Sequence, residues 1–444
     1  MAGTRSLGRR LLREGGKGVL GLAMMAALVW LAFSLGAWMA ENNTPLAYRA
    51  GLSAQTVTGA VLDLAGSADE RPVESERLTL KVSGSPPRGP ILAVPGGTQA
   101  LLLNRKGRIV HRWDVDHAEA FPGSDLPDTA VRWREPVLMP DGDLVAVPTR
   151  RRPLSPFNLA AGRYGLGVVR VAPDGTVRWT NPLRAHHVPV RAPNGDILVL
   201  WRRPRTRPDP RYPDLHTPFF AEGIARLDAA TGKVLRRAAF RDLLAGSGAA
   251  NLLHRPAMLR DGTHLKGEVF HANTIRPVTP AAARNAAFAD AGDLVVSFRN
   301  LSTAAVLDAD TWRVKTLLRG PWTAQHDVAV LASGRVTAYD NTAPDGGSRV
   351  VVWDPGSGRI TATYGGRDLN ARILGMRQRL AGGGVLAVDP RGHAIAYGPD
   401  GGERWRLVLD PPDARLCSVR RVPRGPVAAL MGAGEPPSPD GDGR

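Results

Sequence analysis

At 444 residues, 43% hydrophobic and 22% charged, the chain has the apolar content of a globular protein, which excludes disorder as a description of the whole. Its 50 Gly and 37 Pro exclude long helices as the main structure, and the single cysteine, Cys417, excludes an internal disulfide or a cysteine-built zinc site. The net charge of +17 is arginine in excess, only six of 58 basic residues being lysine, and it comes without a zinc-finger, helix-turn-helix or RNP pattern, so nucleic acid is a poor fit.

Arg5, Arg9, Arg10, Arg13 and Lys17 make residues 1–17 a basic segment. An uncharged run over 18–39 follows, and at about 1.5 Å per residue it is long enough to cross a hydrocarbon core of about 30 Å. A single transmembrane helix is expected at 18–40, with Trp38 near its outer end. Basic residues before the span and Glu41 after it predict a cytoplasmic start and an exported remainder. The rival is a cleaved signal peptide. The apolar stretch exceeds the usual h-region, and Trp38-Met39-Ala40 is a poor small-x-small site. Residues 41–88 are polar and read as a linker or stalk.

From about Pro90 two turn patterns recur. The first runs from Asn or Asp toward Gly and leads to a strand carrying an aromatic. It occurs at Asn104–Gly107, Asp174-Gly175, Asp228–Gly232, Asp308–Trp312, Asp354–Gly358 and Asp400–Gly402. The second opens an apolar strand, as in Pro140-Asp141-Gly142-Asp143 and Pro193-Asn194-Gly195-Asp196. Three more copies lie near Gly292-Asp293, at Ser333-Gly334 and over 380–388. Asp-Gly and Asn-Gly supply the positive φ of tight hairpins, and the flanking β-branched residues pair across strands. A four-stranded unit cannot bury both faces alone, so copies stack around an axis. The expectation is an all-β, six-bladed propeller over 89–431, with insertions near 201–222 and 241–285. The arginine run from Arg202 to Arg207 reads as a solvated loop, with anion steering or lipid contact as alternatives. Residues 432–444 read as a disordered tail.

Four histidines and one arginine occupy loop-to-strand junctions in different repeats: His186, His187, His271, His326 and Arg299. In a propeller such junctions converge on the central channel. Imidazoles with a guanidinium there suit an oxyanion, since arginine offers forked donors and histidine serves as nucleophile or proton shuttle. His111, His117, His216, His254, His264 and His393 read as structural. A metal is unsupported by any spacing motif, and no cofactor is called for. His186 and His187, adjacent on a strand, are expected to point to opposite sides.

Gln325-His326-Asp327, Tyr339-Asp340-Asn341 and Ser348–Pro355 resemble the bacterial arylsulfate sulfotransferase family. So do His271–Ile275, Ser297-Phe298-Arg299-Asn300, and His186-His187 before Pro193–Asp196. The resemblance implies a six-bladed envelope propeller that moves a sulfuryl group from an aryl sulfate to a phenolic acceptor without a nucleotide donor. It implies that His326 becomes transiently sulfated, that His271 and Arg299 bind sulfuryl oxygens, and that His186 or His187 is a further channel histidine. The chain departs from the family in leaving little room over 41–88 for an additional amino-terminal β-domain. The rival reading is a non-catalytic exported propeller that binds an anionic ligand or a partner protein.

Overall fold

The computed structural model describes residues 30, 31, 34, 77–150, 165–205, 207, 209–210, 219–254, 269–344, 346–371, 374–410 and 416–431. The chain divides into two compact units, 1–70 with 154–158 and 71–153 with 159–444. In the first, Trp30, Leu31 and Ser34 are helical. The remainder of the expected span over 18–40, and the tail 432–444, lie outside the described residues. No helix among the described residues is long and apolar enough to cross a membrane.

The second unit is a six-bladed β-propeller. Going round the ring, the innermost strands are Ser418–Arg421, Val137–Leu138, Ala185–Arg191, Ala272–Pro277, His326–Val330 and Met376–Arg379. The first turn pattern joins the third and fourth strands of a blade. In blades three and four it closes the same way: Asp228 Oδ1 accepts from Thr231 N at 2.7 Å, and Asp308 Oδ1 accepts from Thr311 N at 2.7 Å. The second pattern joins the first and second strands, as where Ala192 N donates to Asp196 O at 2.8 Å and Leu331 N to Arg335 O at 2.8 Å.

The first pattern occurs six times and the second only five, and the ring explains the difference. In the first blade the innermost strand, Ser418–Arg421, arrives from the C-terminal end of the propeller and pairs antiparallel with Ile91–Val94. No turn is needed there. One blade strand was not foreseen, and neither was the separate two-stranded pairing of Val131–Trp133 with Pro148–Arg150. Arg77–Val82 pairs along its length with Glu403–Asp410 and adds a fifth, outer strand to the last blade, so the polar segment taken as a stalk over 41–88 contributes its end to the propeller. Alternating Leu78 and Leu80, packed on the core between the last and first blades, are what hold it there.

The core follows from strand periodicity. Alternate residues of each strand face opposite sides, so an apolar run buried on both faces feeds two cores. Leu101 and Leu103 face the last blade while Ala100 and Leu102 face the second. Likewise Leu198 and Leu200 face the fourth blade while Ile197 and Val199 face the second. Each of the six interfaces between neighbouring blades has such a cluster.

The arginine run from Arg202 is not a loop as far as Arg205. Ile197–Arg205 is one continuous strand in register with Phe219–Leu227. The insertion lengthens a hairpin because residues on both sides of it keep pairing.

Candidate functional site

Three consecutive blades are irregular at the channel. The pairing of the innermost strand slips between His186 and Val190 in blade three, between Ala272 and Thr274 in blade four, and between His326 and Ala329 in blade five. Such bulges insert unpaired residues and re-aim side chains. The backbone carries strain at the same places: His187 (φ 61°), His271 (φ 46°) and Asp327 (φ 50°) are non-glycine residues in the left-handed region. His271 is braced there by the buried Glu222, whose Oε2 accepts from the backbone N–H groups of Phe270 (3.2 Å) and His271 (2.9 Å).

These distortions gather the imidazoles. The His187 ring lies 5.3 Å from that of His271 and 6.3 Å from that of His326, centroid to centroid. The expected divergence of His186 and His187 is overturned, because their Nδ1 atoms are 2.6 Å apart. A regular strand would separate them; the positive φ at His187 and the register slip beside it bring the rings together. One of the two nitrogens carries the shared proton.

His326 is 4% exposed, and its Nδ1 lies 2.7 Å from Asn341 Oδ1. The Asn341 amide has a fixed orientation, since its Nδ2 donates to the carbonyls of Ala371 and Leu374. An amide oxygen accepts only, so His326 carries its proton on Nδ1 and presents a lone pair on Nε2. Burial holds His326 well below the ordinary imidazole range, with Arg299, His271 and Arg134 reinforcing burial against the opposing Asn341 hydrogen bond. His187 is also held well below that range, by burial first and then by His186, Arg134, His271 and His326. Both rings are neutral at pH 7.

His326 and His187 line one cavity together with Arg134, Glu135, Asn273 and Thr274. Gly375 belongs to its wall and needs to be glycine: φ is +99°, and a Cβ would lie 2.5 Å from the Tyr339 ring. His271, Arg299 and His186 do not line this cavity. Arg299, 8% exposed, acts on His326 through its charge. Arg134 supplies a second guanidinium at a loop-to-strand junction, the position already used to single out the histidines, and that rule would have found it.

Beside the imidazoles lies an ion network drawn from five blades. Asp327, fully buried, accepts from Arg276 Nε at 2.7 Å and from the Arg377 backbone N–H at 3.0 Å. Glu135 accepts from Arg276 at 3.1 Å and pairs with Arg420. Burial alone would raise the Asp327 carboxyl; Arg276 and Arg377 overcome it and hold it below the usual carboxylate range. None of these five residues was singled out for a role from sequence.

The remaining described histidines make other contacts. His111 meets Trp113 edge-on, His117 Nε2 is 3.0 Å from Ser124 Oγ, and His393 Nε2 is 3.1 Å from the Asp368 carbonyl. His216, His264 and the His254 side chain lie outside the described residues. Among the described residues no group of three or more His, Cys, Asp or Glu is arranged to hold a metal ion.

A family model described as arylsulfotransferase (ASST) matches residues 172–408. The match takes in His186, His187, His271, Arg299, His326 and Asn341, and leaves Arg134, Glu135 and Arg420 outside. No curated protein matches the chain. Among solved structures, a protein of unknown function from Bacteroides caccae is similar at 12% identity and TM-score 0.46, over 74% of this chain and 98% of that one. A virginiamycin B lyase from Staphylococcus aureus is similar at 12% identity and TM-score 0.39, over 74% and 88%. BamB from Moraxella catarrhalis is similar at 13% identity and TM-score 0.32, over 76% and 83%.

Proposed function

The chain belongs to the arylsulfotransferase family, and from that premise we propose that its channel transfers a sulfuryl group from an aryl sulfate to a phenolic acceptor, with His326 as nucleophile and no nucleotide donor. The observation that carries this reading is the hydrogen bond from His326 Nδ1 to the oriented Asn341 amide, which leaves the Nε2 lone pair on a neutral ring.

In the first half-reaction Nε2 bonds to sulfur as the bond from sulfur to the aryl oxygen breaks. Arg134, which lines the cavity, binds the sulfuryl oxygens, Arg299 offsets their charge through the same field it exerts on His326, and His271 packs beside His187. The departing aryl oxide needs a proton. Arg134 is one of the groups that, after burial and His186, disfavour the His187 imidazolium. A bound sulfate monoester reverses that field, so His187 takes up a proton on binding and gives it to the leaving oxygen, with His186 sharing the charge through the 2.6 Å contact. In the second half-reaction the phenolic oxygen attacks sulfur and its proton returns to His187. The nitrogen–sulfur bond breaks, and its electron pair returns to Nε2.

The anchor belongs to the same reading. The uncharged run over 18–39, preceded by basic residues, supports a single span that tethers the propeller outside the cytoplasm, in the bacterial envelope.

The test is turnover of a chromogenic aryl sulfate by residues 41–444, with and without phenol. Phenol-dependent release of the chromophore, lost in His326→Ala, is expected. No turnover over a panel of donors and acceptors would overturn the reading in favour of a propeller that only binds anions.

A further inference from the structure

The arginine run of blade three builds a second site. Trp201, Arg203 and Arg205 occupy alternate positions of one strand and so share a face. Across the sheet that face carries Gly223 opposite Trp201, Ala221 opposite Arg203 and Phe219 opposite Arg205, with Ala239 opposite Gly223. The Trp201 indole lies against the Gly223 backbone so closely that a Cβ there would fall 2.7 Å from the ring, and its Nε1 donates to the Ile224 carbonyl at 3.1 Å. Arg237, on the outer strand, sets its guanidinium 5.2 Å from the same ring.

The result is an open cleft lined by Trp201 and small residues, with guanidinium groups along its walls. Four arginines line it against two aspartates, Asp209 and Asp242. Arg241, the buried one, pairs with Asp209 at 3.6 Å. Among the described residues no carboxylate pairs with Arg203, Arg205 or Arg237, all three exposed. Burial and the neighbouring charges of Arg205 and Arg237 lower the Arg203 guanidinium from its ordinary range, as befits like charges waiting for a counter-ion.

We propose that this cleft binds an aromatic anion, its ring seated beside Trp201 and its sulfonate, sulfate or carboxylate group forked by Arg203, Arg205 and Arg237. Planar guanidinium groups pair with such oxygens through two parallel donors and stack on aromatic faces, which lysine does not do. The cleft also reaches Glu222, the carboxylate that braces the His271 backbone. Its chemistry stands whether or not the channel transfers sulfuryl groups.

Calorimetric titration with naphthalene sulfonate tests this, because its carbon–sulfur bond cannot be transferred. The expected result is an equivalent that persists in His326→Ala and is lost, or weakened at least tenfold, in the Arg203→Ser/Arg205→Ser/Arg237→Ser variant. The triple lysine variant, which keeps the charge, is expected to bind at least tenfold more weakly than wild type. Inorganic sulfate is expected not to compete at equal concentration, since it lacks the ring. No binding, binding unchanged by the serine substitutions, or binding abolished by His326→Ala alone would overturn the proposal, and a folded serine variant is verified by its unchanged thermal transition.

Discussion

The amide of Asn341 accepts from His326 through its oxygen while its nitrogen donates to the carbonyls of Ala371 and Leu374, so flipping it would set like groups face to face on both sides. This lock makes Asn341 a positioning residue with a distinctive signature. In Asn341→Asp a carboxylate faces Nδ1–H and favours the imidazolium, so the acid limb of the pH profile of kcat moves to higher pH. In Asn341→Ala the tautomer is released, and kcat falls about a hundredfold or more. An unmoved profile in Asn341→Asp would show that the contact is only structural. The depressed basicity of His326 and His187 also links stability to pH. Both bind a proton more readily unfolded, near the ordinary 6.5, than folded. Their contribution is therefore complete above about pH 6.5 and is lost as pH falls toward the folded values. Thermal melts between pH 7.5 and 5 are expected to show this decline, and the double variant His187→Asn/His326→Asn to show less of it.

The site's geometry lives in three inner strands that fail to be regular. Period-two reasoning placed His186 and His187 on opposite sides of a strand, and it failed because a bulge and a positive φ intervene where His187 sits. Nothing in Arg184-Ala185-His186-His187-Val188-Pro189 announces this, since non-glycine residues in the left-handed region are held there by tertiary contacts. The ion network escaped sequence reading for a related reason. Glu135, Arg276, Asp327, Arg377 and Arg420 are single charges on separate blades, and only ring closure brings them together. At Asp327 the bulge and the network meet. Asp327→Asn keeps the shape and the tolerance for positive φ but strips the counter-charge from Arg276 and Arg377. We expect it to lower the unfolding free energy by about 3–5 kcal/mol in denaturant titration. A change below about 1 kcal/mol would mean that the network tolerates the loss of the Asp327 charge.

At the scale of the molecule, most of the fold was legible because its signal is repeated. Six Asp- or Asn-initiated turns and five strand-opening turns define six blades, and the missing sixth copy marks where the chain closes the ring with Ser418–Arg421. The fifth strand of the last blade, Arg77–Val82, was hidden because a single amphipathic segment in a polar stretch carries no repeat. Closure by one short strand makes the ring dependent on it. Removing it exposes the pairing edge of Ile91–Val94, uncovers Leu92 and Val419's neighbours in two cores, and deletes the Arg420 partner of Glu135. A chain ended after residue 410 is expected to lose its cooperative thermal transition and become sensitive to protease. A retained transition would show that the remaining five complete blades hold the ring alone.

The central claim is that His326 takes the sulfuryl group. Its most direct test is to mix the protein with an aryl sulfate in the absence of acceptor, quench in alkali, and map the peptides by mass spectrometry. The account predicts a sulfuryl adduct on His326 that disappears when phenol is added before the quench and never forms in His326→Ala. An adduct on another residue, or phenol-dependent turnover with no protein adduct at any time, would contradict it.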